Sequence, residues 1–249
     1  MKQALLITVI LLLGQSIYCN STQSLTNTPT EEKVAFEPIY FILGTLSDYG
    51  GRSQYVNREN QVDKYYPYEK PLADFLKKYI KTELNISIET VLGPSNHQNT
   101  YSPELSKQLN DFYGEEDKLS NDKFESDEQI YSFIAGVCYR YGERLENAIY
   151  KIKLSNSPKH QNCYESLKQI GCQKLFYKQT KSIPRQDIIY FKPTPKLMKY
   201  LKLIEEERIE LETSFHNRFE TTDTKLAEQI KLDYQKAKNE EAEKIKHLF

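Results

Sequence analysis

The stretch Ser126–Gly142, SDEQIYSFIAGVCYRYG, constrains the fold of this chain more than any other. Ser126 and Gln129 have the spacing of a capping box, which fixes a helix start. Asp127 and Glu128 place negative charge in the first turn, where the helix dipole favours it. Ile130, Phe133, Ile134, Val137 and Tyr141 recur at helical spacing along one face. Tyr131, Ala135 and Cys138 form a second apolar strip. A helix apolar on both sides is buried in a core or a membrane. The apolar run is too short to span a bilayer, so the stretch is predicted to be the core helix on which other elements pack. Gly136 suits a close backbone approach, and Gly142 a left-handed helix stop.

The first residues point to a compartment. Lys2 precedes the apolar run Ala4–Leu13, followed by small and polar residues, in the order of a secretory signal peptide. Residues 1–19 are read as a leader, with Cys19 as a lipidation candidate. The Ser-, Thr- and Asn-rich residues 20–33 are read as a flexible tether. Export would permit a disulfide, and Cys138 with Cys163 or Cys172 is the reasonable pairing. Contact with a membrane would then come only through the leader or a lipidated Cys19.

Residues 34–193 are expected to form the globular part, in the α/β or α+β class: a mixed sheet of about five strands with helices packed on it. The run Ile39–Leu43 suits a strand buried on both faces. Pro71 opens a helix carrying Leu72, Phe75, Leu76 and Tyr79. Asn85–Leu92 reads as a strand, and the intervening helix suggests parallel neighbours. Ser102-Pro103 opens a short helix. Tyr150, Ile152 and Leu154 alternate with Lys151 and Lys153, as in a strand with one wet face. Asn162 and Glu165 suit a helix cap, and segments near Leu175–Tyr177 and Ile188–Phe191 read as strands. No internal repeat is evident. Residues 194–249 are expected to form a helical extension, either a rod or a hairpin. Their seam Leu197, Leu201, Ile204, Leu211, Phe215 is interrupted by Arg208. Residues 197–249 offer a surface for a homo-oligomer.

The long polar segment Ser47–Lys70 holds the candidate ligand-binding residues: Asp48, Tyr49, Arg52, Tyr55, Arg58, Tyr65 and Tyr66. Tyrosines among charges suit a protein or glycan surface. Arg52 is suited to hold an anionic group through a bidentate fork. Asp48, following the first buried segment, is the first carboxylate to consider for hydrolysis, with Asp63 and Glu69 in the same segment. His160 and Cys163 share an H-x-x-C spacing that lacks the paired ligands of a zinc site. The chain has no P-loop, G-x-S-x-G, H-E-x-x-H or G-x-G-x-x-G signature, so no catalytic residue, metal or cofactor is assigned. The net charge of −1 and the lack of a dense basic stripe argue against a nucleic-acid partner. The resulting expectation is an exported, non-catalytic binding protein of the cell envelope, periplasm or extracellular space. The alternatives are a secreted hydrolase of an extracellular polymer and a structural oligomer built through the C-terminal helices.

Overall fold

A computed structural model describes residues 34–47, 49–55, 57–114, 118–218 and 224–249. The leader, the tether, Cys19 and Asp48 lie outside the described residues. The core is organised around two helices, α1 (Pro38–Thr45) and α4 (Asp127–Tyr141). The capping box of α4 forms as its sequence requires: Gln129 N–H donates to the Ser126 hydroxyl, and the Gln129 side chain accepts from Ser126 N–H. Every residue from Ile130 to Tyr139 is buried.

The run Ile39–Leu43, expected as a strand, is helical. Pro38 occupies the first turn, where its missing N–H is no loss. Its apolar residues need burial on all sides, which packing against α4 supplies. A Cβ on Gly44 would sit 2.1 Å from Phe133 O, and one on Gly136 would sit 2.1 Å from Phe41 O. The helices thus cross backbone against backbone, and only glycine fits either position. Gly142 is not a left-handed stop: its φ is −90°. A Cβ there would meet Cys138 O at 2.4 Å.

The rest of the chain repeats one pattern. After α1 come β1 (Gln61–Tyr65), α2 (Lys70–Leu84), β2 (Glu89–Leu92), β3 (Gln98–Tyr101) and α3 (Pro103–Asn110). After α4 come β4 (Gly142–Arg144), β5 (Tyr150–Ser155), α5 (Lys159–Gln169), β6 (Phe176–Gln179), β7 (Gln186–Phe191) and α6 (Pro195–Lys202). The sheets are ordered β1-β3-β2 and β4-β5-β7-β6, so the second is the first with β4 added at an edge. The expectation of no internal repeat is corrected by this order. All pairings are antiparallel. The molecule is therefore α+β with two antiparallel sheets, and the strand–helix–strand units do not carry parallel strands. The α5 cap is Pro158 rather than Asn162.

The C-terminal segment is helical as expected, in three pieces: α6, α7 (Glu205–Asn217) and α8 (Thr224–Lys246). Leu197, Leu201, Ile204 and Leu211 join the main core. Arg208, the interruption in that seam, is buried and pairs with Glu205 and Glu212. The two faces of the four-stranded sheet bury different partners. Ile152, Leu154, Ile189 and Phe191 belong to the main core, while Ile188 and Tyr190 pack with Ala242 and Ile245 of α8. The face expected to be wet is thus covered in part by α8.

Lys159 shows how the ends of α1 are satisfied. It is fully buried, and its Nζ donates to Leu43 O and Gly44 O at 3.3 Å and to Leu46 O at 2.6 Å. These are carbonyls that a helix C-terminus leaves without partners. Lys159→Met keeps most of the stem but strands those oxygens. A loss of about 2 kcal/mol in urea unfolding is expected, since buried unpaired acceptors cost roughly 1–3 kcal/mol each but removing the ammonium also relieves its desolvation.

Candidate functional site

At the C-terminal end of α4, Arg140 gathers the ends of several elements. Its Nε donates to Glu69 Oε1 at 2.8 Å, and Nη1 donates to Thr45 O at 2.9 Å and Asp63 Oδ2 at 2.7 Å. Nη2 donates to Lys64 O and Glu69 Oε2, both at 2.9 Å. Every guanidinium N–H is therefore matched. The carboxylates are equally occupied. Asp63 Oδ1 accepts from Tyr55 O–H at 2.7 Å and Lys64 N–H at 2.8 Å, and Glu69 Oε2 accepts from Tyr66 N–H at 2.9 Å. Burial alone would lower the Arg140 pKa; the carboxylates of Asp63 and Glu69 outweigh it and hold it well above its ordinary value. Burial, then Asp63, raises the Tyr55 phenol well above its own. In this cluster the Arg140 cation is matched by two carboxylates, each accepting hydrogen bonds on both oxygens. It joins α1, β1, the turn before α2 and α4. Among the described residues, no group of His, Cys, Asp and Glu could hold a metal ion.

Beside this cluster lies a cleft of about 380 Å³ between the end of α4, strands β4, β5 and β7, and helices α7 and α8. Tyr68, Tyr141, Phe215 and Tyr234 give it aromatic walls, and Ser155, Gln186 and Lys153 supply polar groups. Its remaining charges are neutralised in place. Lys151 pairs with Glu143 and with Glu241 at 2.7 Å, and Lys238 pairs with Glu143 at 3.2 Å and Glu212 at 3.0 Å. Lys153 is exposed and has no ion-pair partner among the described residues.

An aromatic strip leads from the first sheet into this cleft. His97 and Tyr66 have ring centroids 4.7 Å apart, and Tyr66 and Tyr68 are stacked at 5.5 Å with 3° between planes. Tyr68 meets Phe215 edge-on at 5.2 Å. The Arg218 guanidinium lies 3.7 Å from the Phe215 centroid and 5.1 Å from that of Tyr68. Burial, then Glu69, pushes the Tyr68 phenol up to about 12, so the ring stays neutral at ordinary pH.

The candidate residues from the long segment scatter. Arg52 is fully buried and donates to Val62 O, Gln61 O and Asn110 Oδ1, so it cannot hold a ligand. Tyr65 is buried, and Tyr55 is engaged by Asp63 and Ser47 O. Arg58 is half-buried against Asn110. Among the described candidates only Tyr49 and Tyr66 are exposed, at 54% and 48%. Cys138, Cys163 and Cys172 are buried free thiols, so the expected disulfide is not formed. Burial raises the Cys138 thiol far above its ordinary value. His160 stacks on Tyr177, and Cys163, one turn further along α5, is fully buried. The sequence reading missed Arg140, Tyr68, Phe215 and Tyr234. One signal would have found the first: Phe41–Gly50, FILGTLSDYG, and Phe133–Gly142, FIAGVCYRYG, share Phe, Ile, Gly, Tyr and Gly at matching places.

Glu143 ties α8 to the sheet and gives its docking a pH dependence. Burial would raise its pKa, but Lys151 and then Lys238 outweigh burial and hold it below the ordinary 4.5. A depressed carboxyl stabilises the fold above its unfolded pKa and loses that contribution as pH falls through the folded value. Hydrogen exchange of α8 should therefore quicken selectively below about pH 4, where glutamates protonate. Glu143→Gln should speed exchange at pH 7 and flatten the acid dependence.

No family model matches the chain, and no curated protein does. Solved structures of similar fold exist. The crystal structure of I-DmoI in complex with DNA and Mn has a TM-score of 0.45 at 16% identity, covering 68% of this chain and 94% of that one. Full-length DUF199/WhiA from Thermatoga maritima has a TM-score of 0.36 at 14% identity, covering 82% and 73%. The N-terminal LAGLIDADG domain of DUF199/WhiA has a TM-score of 0.34 at 14% identity, covering 69% and 96%. These neighbours correct the sequence-based expectations of function, partner and place. The exclusion of nucleic acid is withdrawn, because I-DmoI is a homing endonuclease whose structure is held on DNA. The readings as an exported envelope binder of protein or glycan, a secreted hydrolase and a helix-assembled oligomer are withdrawn with it, as is the periplasmic, envelope or extracellular location. At this identity the likeness is one of fold, and this chain's chemistry has to come from its own residues. No described helix is long and apolar enough to cross a membrane.

Proposed function

We propose that this protein binds a polynucleotide without cleaving it. The observation that carries the reading is the aromatic strip His97–Tyr66–Tyr68–Phe215 with Arg218 over its rings. Bases stack on exposed aromatic faces without sequence preference, and guanidinium groups reinforce such platforms. Lys64 and Lys153, both exposed, add local positive charge near this strip and its cleft despite the overall charge of −1. The reading stops at binding because Asp63 and Glu69 are both spent on Arg140, with their oxygens accepting from its guanidinium, Tyr55 and backbone N–H groups.

Stacking rather than phosphate neutralisation should dominate the affinity. With two or three phosphates contacted, the log–log salt slope on a single strand should be only about −2. Tyr66→Ala should weaken binding about ten-fold, the usual worth of one lost stack. Fluorescence anisotropy with a labelled oligonucleotide measures both. Unchanged affinity in Tyr66→Ala would remove the strip as the binding surface.

A further inference from the structure

We infer that the cleft beside Arg140 receives one unstacked nucleobase from the bound strand, an inference that rests on the polynucleotide reading above. The strip and the cleft share walls: Tyr68 and Phe215 belong to both, and Tyr234 stands across from them on α8. A strand tracking the strip is thereby led to the opening. The volume of about 380 Å³ lies within the roughly 300–1,000 Å³ of small-molecule sites and is far too small for a duplex. The charge pattern selects the part of the nucleotide that enters. The lining cations other than Lys153 are already paired: Arg140 with Asp63 and Glu69, Lys151 with Glu143, and Arg208 with Glu205 and Glu212. A phosphate would find no uncompensated charge inside, whereas a neutral aromatic ring needs none. Ser155 and Gln186 stand opposite one another on β5 and β7, both half-buried in the lining. They supply a hydroxyl and an amide for a base edge, and amides pair well with base donor–acceptor patterns. Lys153, exposed beside them, is placed for the phosphate that stays outside.

Extruding a base costs least where it is already unpaired. The test therefore compares three probes of one length on the full chain: an intact duplex, the same duplex with one unpaired adenine, and the same duplex with an abasic site there. The unpaired adenine is expected to bind about ten-fold tighter than the other two. Ser155→Leu, which narrows the mouth, should remove that preference. Gln186→Leu on the opposing strand repeats the test should the first variant fold poorly. Free adenosine monophosphate should compete only at much higher concentration; competition at the strand's own concentration would overturn the strand-borne source. Equal binding of all three probes would overturn the inference and leave the polynucleotide reading standing. Binding of none of them, nor of a single strand, would overturn both.

Discussion

Arg140→Met is expected to cost about 3–5 kcal/mol of stability, the range for removing one partner of a buried ion pair. The methionine fills most of the space but leaves Asp63 and Glu69 facing each other without a cation, and Thr45 O and Lys64 O without a donor. Desolvation decides the magnitude. The Arg140 side chain is 1% exposed and that of Asp63 is fully buried, so water is a poor substitute for the lost partner. Adding Asp63→Asn and Glu69→Gln to Arg140→Met should recover a large part of the loss, because no unpaired charge then remains. Urea unfolding of the single and triple variants measures both. A loss below about 1 kcal/mol for Arg140→Met would be the behaviour of a surface pair and would refute the sealed cluster.

Gly136→Ala is the second large effect. In an exposed helix this change gains about 1 kcal/mol. Here the new Cβ would lie 2.1 Å from Phe41 O and 3.1 Å from Gly44 Cα, both backbone atoms that no rotamer change can move. Overpacking of a dense core costs about 1–3 kcal/mol and more where relief requires backbone shifts, so a net loss of about 3 kcal/mol is expected. Gly44→Ala presses on the same gap, so the double variant should lose less than the sum. Gly171→Ala is the control. Its φ is +78° with nothing within 4 Å of the added Cβ, so it carries backbone strain alone. That strain is worth about 1–2 kcal/mol. A Gly136→Ala protein no less stable than Gly171→Ala would mean that α1 and α4 do not cross at these glycines.

The legible parts of the fold are those whose cause is local. The capping box of α4, Ser102 before α3 and Thr194 before α6 all donate or accept within their own first turn. Alternation placed β5 correctly, since Tyr150, Ile152 and Leu154 face the core. The helix α1 was illegible because a short run apolar on every side has no period to read. The surface it packs on, around Gly136, lies far along the chain. Arg52 and Arg140 looked equally exposed as letters in a sequence. Arg52 is drawn inside by carbonyls of β1, and Arg140 by carboxylates from two separate elements. The aromatic strip was half visible: Tyr66 stood among the candidates, but Phe215 was assigned to a helical seam, and only tertiary packing brings it to Tyr68.

The crossing of α1 on α4 also sets a timetable for synthesis. Thr45 and Arg140, which meet at the end of that crossing, are 95 residues apart. A ribosome adding about 5–20 residues per second emits α1 some 5–20 seconds before its partner exists. During that interval Phe41 can lie against Phe75 and Tyr79 of α2, but the face of α1 around Gly44 lacks its partner, and a nascent-chain holdase that favours short aliphatic–aromatic segments should hold that face until α4 emerges.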